Sequence, residues 1–540
     1  MTPQDASNAV NVLNWGLRLA LVPAVVGLAF FGWAVFKARN AAEKSYDTPG
    51  SAWNNMGAAY HEKKDYDKAI ECYQKALAEE SYDTPGYAWF NMGLAYHDKK
   101  DYAKAIECYE KTLAEKSYDT PGKAWVNMGL AYYYDKDYDK AIECCEKALA
   151  EKSYDTPGYA WVNMGLAYAS KKDYAKAIEC YQKALAEKSF DTPGSAWANM
   201  GNAYDEEKDY DKAIECYEKA LAEKSYDTPG KAWFKIGNAY HEKKNHDKAI
   251  ECYQKTLADK NFDAPGDAWS NMGLDYAGKK DYDRAIECHE KALAEESYDT
   301  PGYAWDNMGN AYAGKKDYDK AIECYEKALA EKSFDTAGYA WVNMGNAYAS
   351  KKDYDKAIQC YGKALAEESY DTPGYAWVNM GVAYGKKRNY DQAIECYGKA
   401  LAEKSYDTPG KAWFNMGLAY HYKKDYDKAI ECYEKVLADK NYETPAGAWH
   451  NMGLAYAGKK DYDKAIECYD KALAEKSLVT PGMAWYNKAC AYALWGKKTE
   501  MLDSLKKAIE LDPKYRKKAC EDEEFKAFRD DEDFKKLTQE

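Results

Sequence analysis

A tryptophan recurs every 36 residues along most of this chain, at positions 53, 89, 125, 161, 197, 233, 269, 305, 341, 377, 413, 449 and 485. The residues around it recur as well. Residues 81–116 read SYDTPGYAWFNMGLAYHDKKDYAKAIECYEKTLAEK, and the other twelve copies differ from this one at only a few places. A fixed period of this length is typical of repeat proteins, in which each copy is one supersecondary unit. The chain is therefore predicted to be a repeat array and not a set of globular domains.

Each copy contains two segments with the apolar spacing of an amphipathic helix. In the first copy the apolar faces consist of Trp53, Met56, Gly57 and Tyr60, and then of Ala69, Ile70, Tyr73, Ala76 and Leu77. Lys-Lys-Asp-Tyr at 63–66 forms the turn between them, while Asp-Thr-Pro-Gly at 47–50 offers a capping side chain and a proline suited to a first helical turn. One such hairpin cannot bury both faces, so the units must stack. The predicted fold class is all-α, an α-solenoid.

The order Trp, Met-Gly, Tyr, and then Ala, Tyr and Ala resembles the tetratricopeptide repeat. The resemblance covers residues 45–513 as thirteen units of 36 residues, the last one shorter, whereas the usual unit has 34. The extra pair lies in the Tyr-Asp-Thr-Pro-Gly connection between units. The resemblance implies a right-handed superhelix of αα-hairpins whose concave groove binds proteins. Residues 514–540 are predicted to be a capping helix, with Phe525, Phe528, Phe534 and Leu537 covering the final hairpin.

Residues 1–44 differ from the repeats. Eighteen consecutive uncharged and mostly apolar residues run from position 19 to 36, which predicts one transmembrane helix at about 15–36. Trp15 and Trp33 are placed as interfacial anchors, with Arg18, Lys37 and Arg39 at the flanks. A cleaved signal peptide is the alternative. The positive excess after the span favours a single-pass protein whose repeat domain faces the cytoplasm.

The charge balance argues against a nucleic-acid partner. The chain has 76 Lys and Arg against 90 Asp and Glu, a net charge of -14 that is spread along the sequence, whereas phosphate binding needs a basic stripe. Twelve cysteines stand at one equivalent position in successive units, where we interpret them as small half-buried core residues with free thiols.

The histidines do not form a recognisable site in the sequence. His61, His97, His241 and His421 occupy one equivalent position in different units, about 10 Å apart from unit to unit, which is too far for joint ligation of one metal ion. The sequence has no motif for catalysis or phosphate binding. We therefore expect no enzyme activity, no cofactor and no metal.

The units differ from one another mainly at four positions of the first helix: two residues before the Trp and one, five and eight residues after it. In the resembled family this stripe lines the concave groove. The predicted groove residues are Tyr87, Phe90, Leu94, Lys123, Val126, Leu130, Tyr159, Val162, Leu166, Tyr375, Val378, Lys411, Phe414 and Leu418. Clustered apolar groups on a surface mark partner sites, although packing between adjacent first helices is the alternative.

An asparagine stands two residues after nearly every Trp. This asparagine ladder consists of Asn55, Asn91, Asn127, Asn163, Asn199, Asn271, Asn307, Asn343, Asn379, Asn415, Asn451 and Asn487, and only Lys235 interrupts it. A carboxamide donates and accepts hydrogen bonds together, which matches the backbone of an extended peptide. It resembles the ladder of the repeat superhelix of O-linked N-acetylglucosamine transferase. Hydrogen bonds between units are the alternative role.

The predicted function is a membrane-anchored scaffold or receptor that binds partner proteins, either as extended peptide segments or as subunits of a membrane complex. The alternative is a permanent structural subunit of a large membrane complex, for example an energy-transducing one, with the transmembrane helix packed on other subunits. Self-assembly of the near-identical units is a third interpretation.

Overall fold

The computed structural model describes residues 48–539. The regular secondary structure of these residues is entirely helical and includes no β-strand. They form thirteen αα-hairpins followed by a short C-terminal cap, so the prediction of an all-α solenoid is confirmed. The transmembrane helix predicted at about 15–36 lies outside the described residues. Within 48–539, no helix is both long enough and apolar enough to cross a bilayer.

Two compact units divide the chain between Asp299 and Thr300. In the first, the described residues form seven hairpins, α1 to α14: Pro49–Glu62, Tyr66–Ala78, Pro85–Asp98, Tyr102–Ala114, Pro121–Tyr134, Tyr138–Ala150, Pro157–Ser170, Tyr174–Ala186, Pro193–Glu206, Tyr210–Ala222, Pro229–Glu242, His246–Ala258, Pro265–Gly278 and Tyr282–Ala294. Each hairpin packs on the next one within the unit.

The second unit contains six further hairpins and the cap, α15 to α28 with one 3-10 segment: Pro301–Gly314, Tyr318–Ala330, Ala337–Ser350, Tyr354–Ala366, Pro373–Lys386, Tyr390–Ala402, Pro409–Tyr422, Tyr426–Ala438, Pro445–Gly458, Tyr462–Ala474, Pro481–Trp495, Lys498–Leu511, Lys514–Glu521, the 3-10 segment Glu523–Phe528, and Glu532–Gln539. Its hairpins also stack in chain order.

The ends of the helices follow from local sequence. The side chain of Thr48 caps α1 by accepting a hydrogen bond from the backbone N–H of Ser51 at 3.3 Å. In later hairpins the predicted side-chain cap is missing; at Thr84, for example, the carbonyl oxygen instead accepts from the backbone N–H of Tyr87 at 3.1 Å. In the turn, Lys64 adopts a left-handed φ of 60°, and Asp65 caps the second helix.

Glycine lets the two helices of a hairpin approach each other. A Cβ atom on Gly57 would lie 2.5 Å from Cε1 of Tyr73, a core tyrosine that is 1 % exposed. The same glycine–tyrosine contact recurs in the following hairpin at Gly93 and Tyr109. An alanine at this position would force the helices apart, because a contact below about 3 Å cannot be accommodated without a shift of the ring.

The connection between hairpins is part of the core. Tyr82 is 8 % exposed and packs with Ala76 and Ala88. A Cβ atom on Gly50 would lie 2.6 Å from the Cβ of Tyr82, so the glycine makes room for this tyrosine. The connection, which is where these units exceed the usual length, therefore contributes packing between neighbouring hairpins.

The C-terminal cap is not the single helix that was predicted. Two short helices and the 3-10 segment between them bury Phe525 and Phe534 against Tyr486 of the last hairpin. The helix breaks after Glu521, where Asp522 is extended, and the Arg529 guanidinium donates hydrogen bonds of 3.0 Å to the carbonyl oxygens of both residues. The predicted apolar coverage of the final hairpin is present, but in three segments.

Candidate functional site: the first-helix surface

The first-helix surface is the set of predicted groove residues together with the asparagine ladder. The groove residues lie on α3, α5 and α7 of the first unit and on α19 and α21 of the second, and within each unit these neighbouring first helices contact one another. The expectation that these apolar side chains are exposed is wrong at four positions, because Val126, Tyr159, Val162 and Val378 are only 3–8 % exposed. Their possible role in binding stays a prediction.

The residue after each Trp packs inward. The ring of Phe90 lies 5.9 Å from that of Tyr109 on its own second helix and 5.3 Å from that of Tyr118 in the next connection. Phe414 makes the equivalent pair of ring contacts at 6.0 and 6.1 Å. This position therefore holds a hairpin to the connection that follows it, which explains the burial of valine there.

The residue two places before the Trp reaches the acidic residue of the next connection. The hydroxyl of Tyr87 donates to Asp119 at 2.6 Å, and that of Tyr375 donates to Asp407 at 2.5 Å. Burial and this hydrogen bond raise the pKa of Tyr375 to about 12. The hydroxyl of Tyr159 donates to Asp191 in the same way. Where lysine takes this position, the Lys123 ammonium lies 3.9 Å from the Asp155 carboxylate, and Lys411 is exposed.

Five residues after the Trp, the units carry either an apolar residue or asparagine. Leu94, Leu130, Leu166 and Leu418 are half-buried, so part of each side chain reaches solvent. Where asparagine replaces leucine, it accepts a hydrogen bond from the buried core tyrosine; Asn202, for example, accepts from the hydroxyl of Tyr217 at 2.9 Å. This position therefore varies between an apolar surface group and a polar partner for the core.

The asparagine ladder is largely engaged within the protein. Asn91 donates to Asn54 at 3.2 Å, Asn271 to Asn238 at 3.1 Å and Asn379 to Asn346 at 3.1 Å, each across to the preceding hairpin. Three others donate instead to a backbone carbonyl of their own helix at 2.8–3.0 Å: Asn127, Asn415 and Asn451. Asn487 lies 3.1 Å from a ring nitrogen of His450. Asn163 and Asn307 are buried, with 7 % of each residue exposed. These bonds favour the alternative structural role, while the grip on a peptide stays a prediction.

Three side chains that were not grouped from the sequence meet in the first unit. His241, His246 and Asp275 offer one ligand atom each, all within 4.8 Å of one another. Burial lowers the pKa of His241, but the hydrogen bond and the charge of Asp275 outweigh it, so that the pKa is raised overall. Equivalent histidines of different units are too far apart to meet, whereas His246 lies across the turn from His241 in the same hairpin. Two departures from the repeat pattern, His for Tyr at 246 and Asp for Ala at 275, were the available signal.

The cysteines are deeper than predicted. The twelve equivalent cysteines are free thiols and are buried, not half-buried, and Cys145 fills the place of a core tyrosine with no exposure. Burial raises the pKa of thiols such as Cys108, to about 12. The thiols are therefore poor nucleophiles at neutral pH, in agreement with a packing role.

Protein-family models described as tetratricopeptide repeat match most of the sequence. The matched residues are 48–114, 121–186 and 266–330, then 194–226, 230–258, 338–370, 374–406, 410–438 and 446–476, and finally 484–515. No curated protein matches the chain. Solved structures similar to it include the Cut9–Hcn1 hetero-tetramer of the APC/C, with 14% identity and a TM-score of 0.36 over 91% of this chain and 96% of that one. PilF of Pseudomonas aeruginosa has 19% identity and a TM-score of 0.34 over 39% of this chain and 91% of that one.

Proposed function

We propose that this chain, which belongs to the tetratricopeptide repeat family, is a non-catalytic scaffold that binds partner proteins on its first-helix surface. The observation that carries the proposal is the row of half-buried leucines on three successive first helices, Leu94 of α3, Leu130 of α5 and Leu166 of α7. A continuous apolar row with polar amides beside it suits a peptide segment with spaced apolar side chains.

Attachment to a membrane through residues 15–36 is the second part of the proposal. It is supported by the eighteen-residue uncharged run and by the basic residues that follow it, which also favour a repeat domain on the cytoplasmic side. The many free thiols agree with a reducing compartment. The anchor would concentrate the scaffold where its partners assemble.

A permanent structural subunit of a large membrane complex is the alternative function. It is favoured by the extent of the array, since thirteen hairpins offer far more surface than one peptide needs. The two functions predict different rates at which bound partner exchanges with free partner. A recruiting scaffold releases its partner when free partner is added in excess, whereas a structural subunit stays in one complex through detergent purification.

Substitutions taken from the chain itself test the scaffold function. Leu94→Asn combined with Leu166→Asn removes two of the three leucines of the row. It introduces the residue that equivalent units carry at 202 and 238, where it bonds the core tyrosine. The double variant should therefore keep its melting temperature. Its partners, recovered by affinity purification in mild detergent and quantified by mass spectrometry, should fall about tenfold, as expected for a loss of ~1.4 kcal/mol.

A matched control lies on the opposite helix of the same hairpins. Glu107 and Glu179 are about 61 % exposed on the second helices, and changing both to Gln leaves the leucine row intact. This variant should retain every partner. If the asparagine and glutamine variants recover the same partners in the same amounts, the leucine row is not the binding surface.

A further inference from the structure

His241, His246 and Asp275 come together where the sixth and seventh hairpins meet. His241 lies in the last turn of α11, His246 is the first residue of α12, and Asp275 lies on α13. One carboxylate oxygen, Oδ1 of Asp275, lies 2.7 Å from Nδ1 of His246 and 3.0 Å from Nδ1 of His241. We call these three residues the His–Asp–His cluster.

Two of its members are exceptions to the repeat. Asp275 stands where the other twelve units have alanine, and His246 stands where eleven other units have tyrosine and the last has Lys498. The third member, His241, has equivalents in His61, His97 and His421. Those three histidines face a tyrosine ring at centroid distances of 5.3–5.5 Å, and His61 and His97 also lie 3.1 and 3.7 Å from the exposed carboxylate of Asp98. Two unique substitutions, 29 positions apart in the chain, thus meet at one point.

The carboxylate is buried with half of its bonding capacity unused. Asp275 is fully buried, and its Oδ2 atom has no hydrogen-bond partner among the described residues. A buried acceptor without a partner has a free-energy cost in the folded state, and the cost is larger when the acceptor is charged. The alanine of the other units avoids this cost, so the carboxylate destabilises the hairpins unless something else binds to it.

The histidine side of the cluster opens to solvent. The side chains of His241 and His246 are 19 % and 29 % exposed, against none for Asp275. Gly278 leaves the space for the second ring, since a Cβ atom there would lie 2.7 Å from Cε1 of His246. A small ion can therefore enter from the solvent side and meet two imidazole rings in front of one buried carboxylate.

We propose that the His–Asp–His cluster binds a divalent transition-metal ion of the zinc class. Zinc accepts His nitrogen at ~2.0–2.1 Å and carboxylate oxygen at ~2.0–2.2 Å in a tetrahedral arrangement. At those bond lengths the ligand atoms stand ~3.3 Å apart. The two Nδ1–Oδ1 distances therefore widen from 2.7 and 3.0 Å, while the two histidine ligand atoms, which lie within 4.8 Å of each other, move to the same spacing. A mixed nitrogen and oxygen set selects zinc-like ions over Mg²⁺ and Ca²⁺. Water takes the fourth position on the solvent side.

Bound in this way, the ion joins two hairpins. Its ligands come from both helices of the sixth hairpin and from the first helix of the seventh, so binding adds a cross-link to an interface that is otherwise formed by packing. An ion that binds only the stacked arrangement stabilises it according to its concentration relative to its dissociation constant. This role does not depend on the proposed partner surface.

Zinc titration of the full chain tests the site. The protein is purified in mild detergent with a phosphine reductant, and Zn²⁺ binding is followed by calorimetry. We expect one equivalent with a dissociation constant below ~1 µM, a higher melting temperature, and slower amide exchange around residues 241–246 and 272–279. Co²⁺ in place of Zn²⁺ should give the visible absorption of a tetrahedral nitrogen and oxygen site, without a thiolate charge-transfer band.

Restoring the repeat residues provides the decisive variants. Asp275→Ala and His246→Tyr each return the residue of the other units and should weaken binding at least ~100-fold while keeping helical circular dichroism. His97→Ala alters an equivalent histidine outside the cluster and should leave binding unchanged. Wild-type affinity in Asp275→Ala, a thiolate band in the Co²⁺ protein, or no binding by the wild type at millimolar Zn²⁺ would each overturn the proposal. If Asp275→Ala does not fold, His246→Tyr decides alone.

Discussion

Asp306 is a buried carboxylate at a position where an equivalent unit of the chain carries an apolar residue. It lies on α15, one residue after the Trp, and is 8 % exposed. Asn310 donates to its Oδ2 at 3.1 Å, and the side chain of Asn343 also hydrogen-bonds to the carboxylate. Its Oδ1 has no hydrogen-bond partner among the described residues. The equivalent residue of α17 is Val342, which is 5 % exposed. We predict that Asp306→Val stabilises this part of the second unit.

The magnitude follows from the pKa. Burial raises the pKa of Asp306 from 3.8 to about 6. One pKa unit corresponds to 1.36 kcal/mol, so ionisation costs the folded state about 3 kcal/mol. Because the folded pKa is the higher one, the cost is absent below the unfolded pKa, grows as the pH rises from about 4 to 6, and is constant above that. The gain from the substitution should follow the same course.

Amide hydrogen exchange measures the effect locally, which matters because a solenoid can open hairpin by hairpin. Compared at one pH, intrinsic exchange rates cancel between the variant and the wild type. Exchange from residues 301–314 should slow by up to about 100-fold at pH 7.5, and the ionisation part of this gain should fall below ~1 kcal/mol at pH 4.

The reciprocal substitution is the control. Val342→Asp should introduce a destabilisation of the same sign and pH dependence in α17. An Asp306→Val variant whose gain is equal at both pH values would refute the assignment of the cost to a buried carboxylate, and no gain at pH 7.5 would show that its hydrogen bonds offset burial.

Two further predictions use single residues of the hairpin core. Gly201→Ala should cost roughly 1–3 kcal/mol by thermal unfolding, because its Cβ would lie 2.7 Å from Cε1 of Tyr217. Gly398→Ala has no atom within 4 Å of the added group and should gain up to ~1 kcal/mol, and equal losses from both would contradict the packing explanation. His289 is fully buried without a hydrogen-bond partner for either ring nitrogen among the described residues, and burial lowers its pKa to about 4. The free energy of unfolding of the wild type should therefore fall by up to about 3 kcal/mol as the pH drops from 6.5 to 4. Amide exchange from residues 282–294 measures this loss, and in His289→Tyr it should no longer depend on pH in this way.

The repeat period predicted the hairpins because thirteen copies place the same apolar residues at the same spacing. The exposure of the first-helix residues could not be predicted, because it depends on the connection that returns over the helix. Phe90 shows this: its spacing turns it away from Trp89, yet Tyr118 of the following connection covers it. Amphipathic spacing describes one helix, whereas burial in a stacked array depends on the next unit.

The contacts of polar side chains were equally hard to predict from the sequence, as the asparagine ladder and the His–Asp–His cluster show. An amide at a fixed position can bond a peptide or a neighbouring unit, and only the positions of Asn54 and Asn238 show that the second occurs. The cluster could not be predicted from histidines at equivalent positions. Its ligands occupy three different positions of the repeat, so only the departures from the pattern at 246 and 275 pointed to it.

Site-specific photo-crosslinking in cells tests whether partner proteins bind the first-helix surface. A photoreactive phenylalanine analogue is placed at Leu94 or Leu166 on that surface, and at Glu107 or Glu179 on the second helices as the matched control. We predict that irradiation joins the same discrete partner proteins to the chain from positions 94 and 166 and not from 107 and 179. Adducts formed only from the two second-helix positions would contradict it and place the partners on the opposite face.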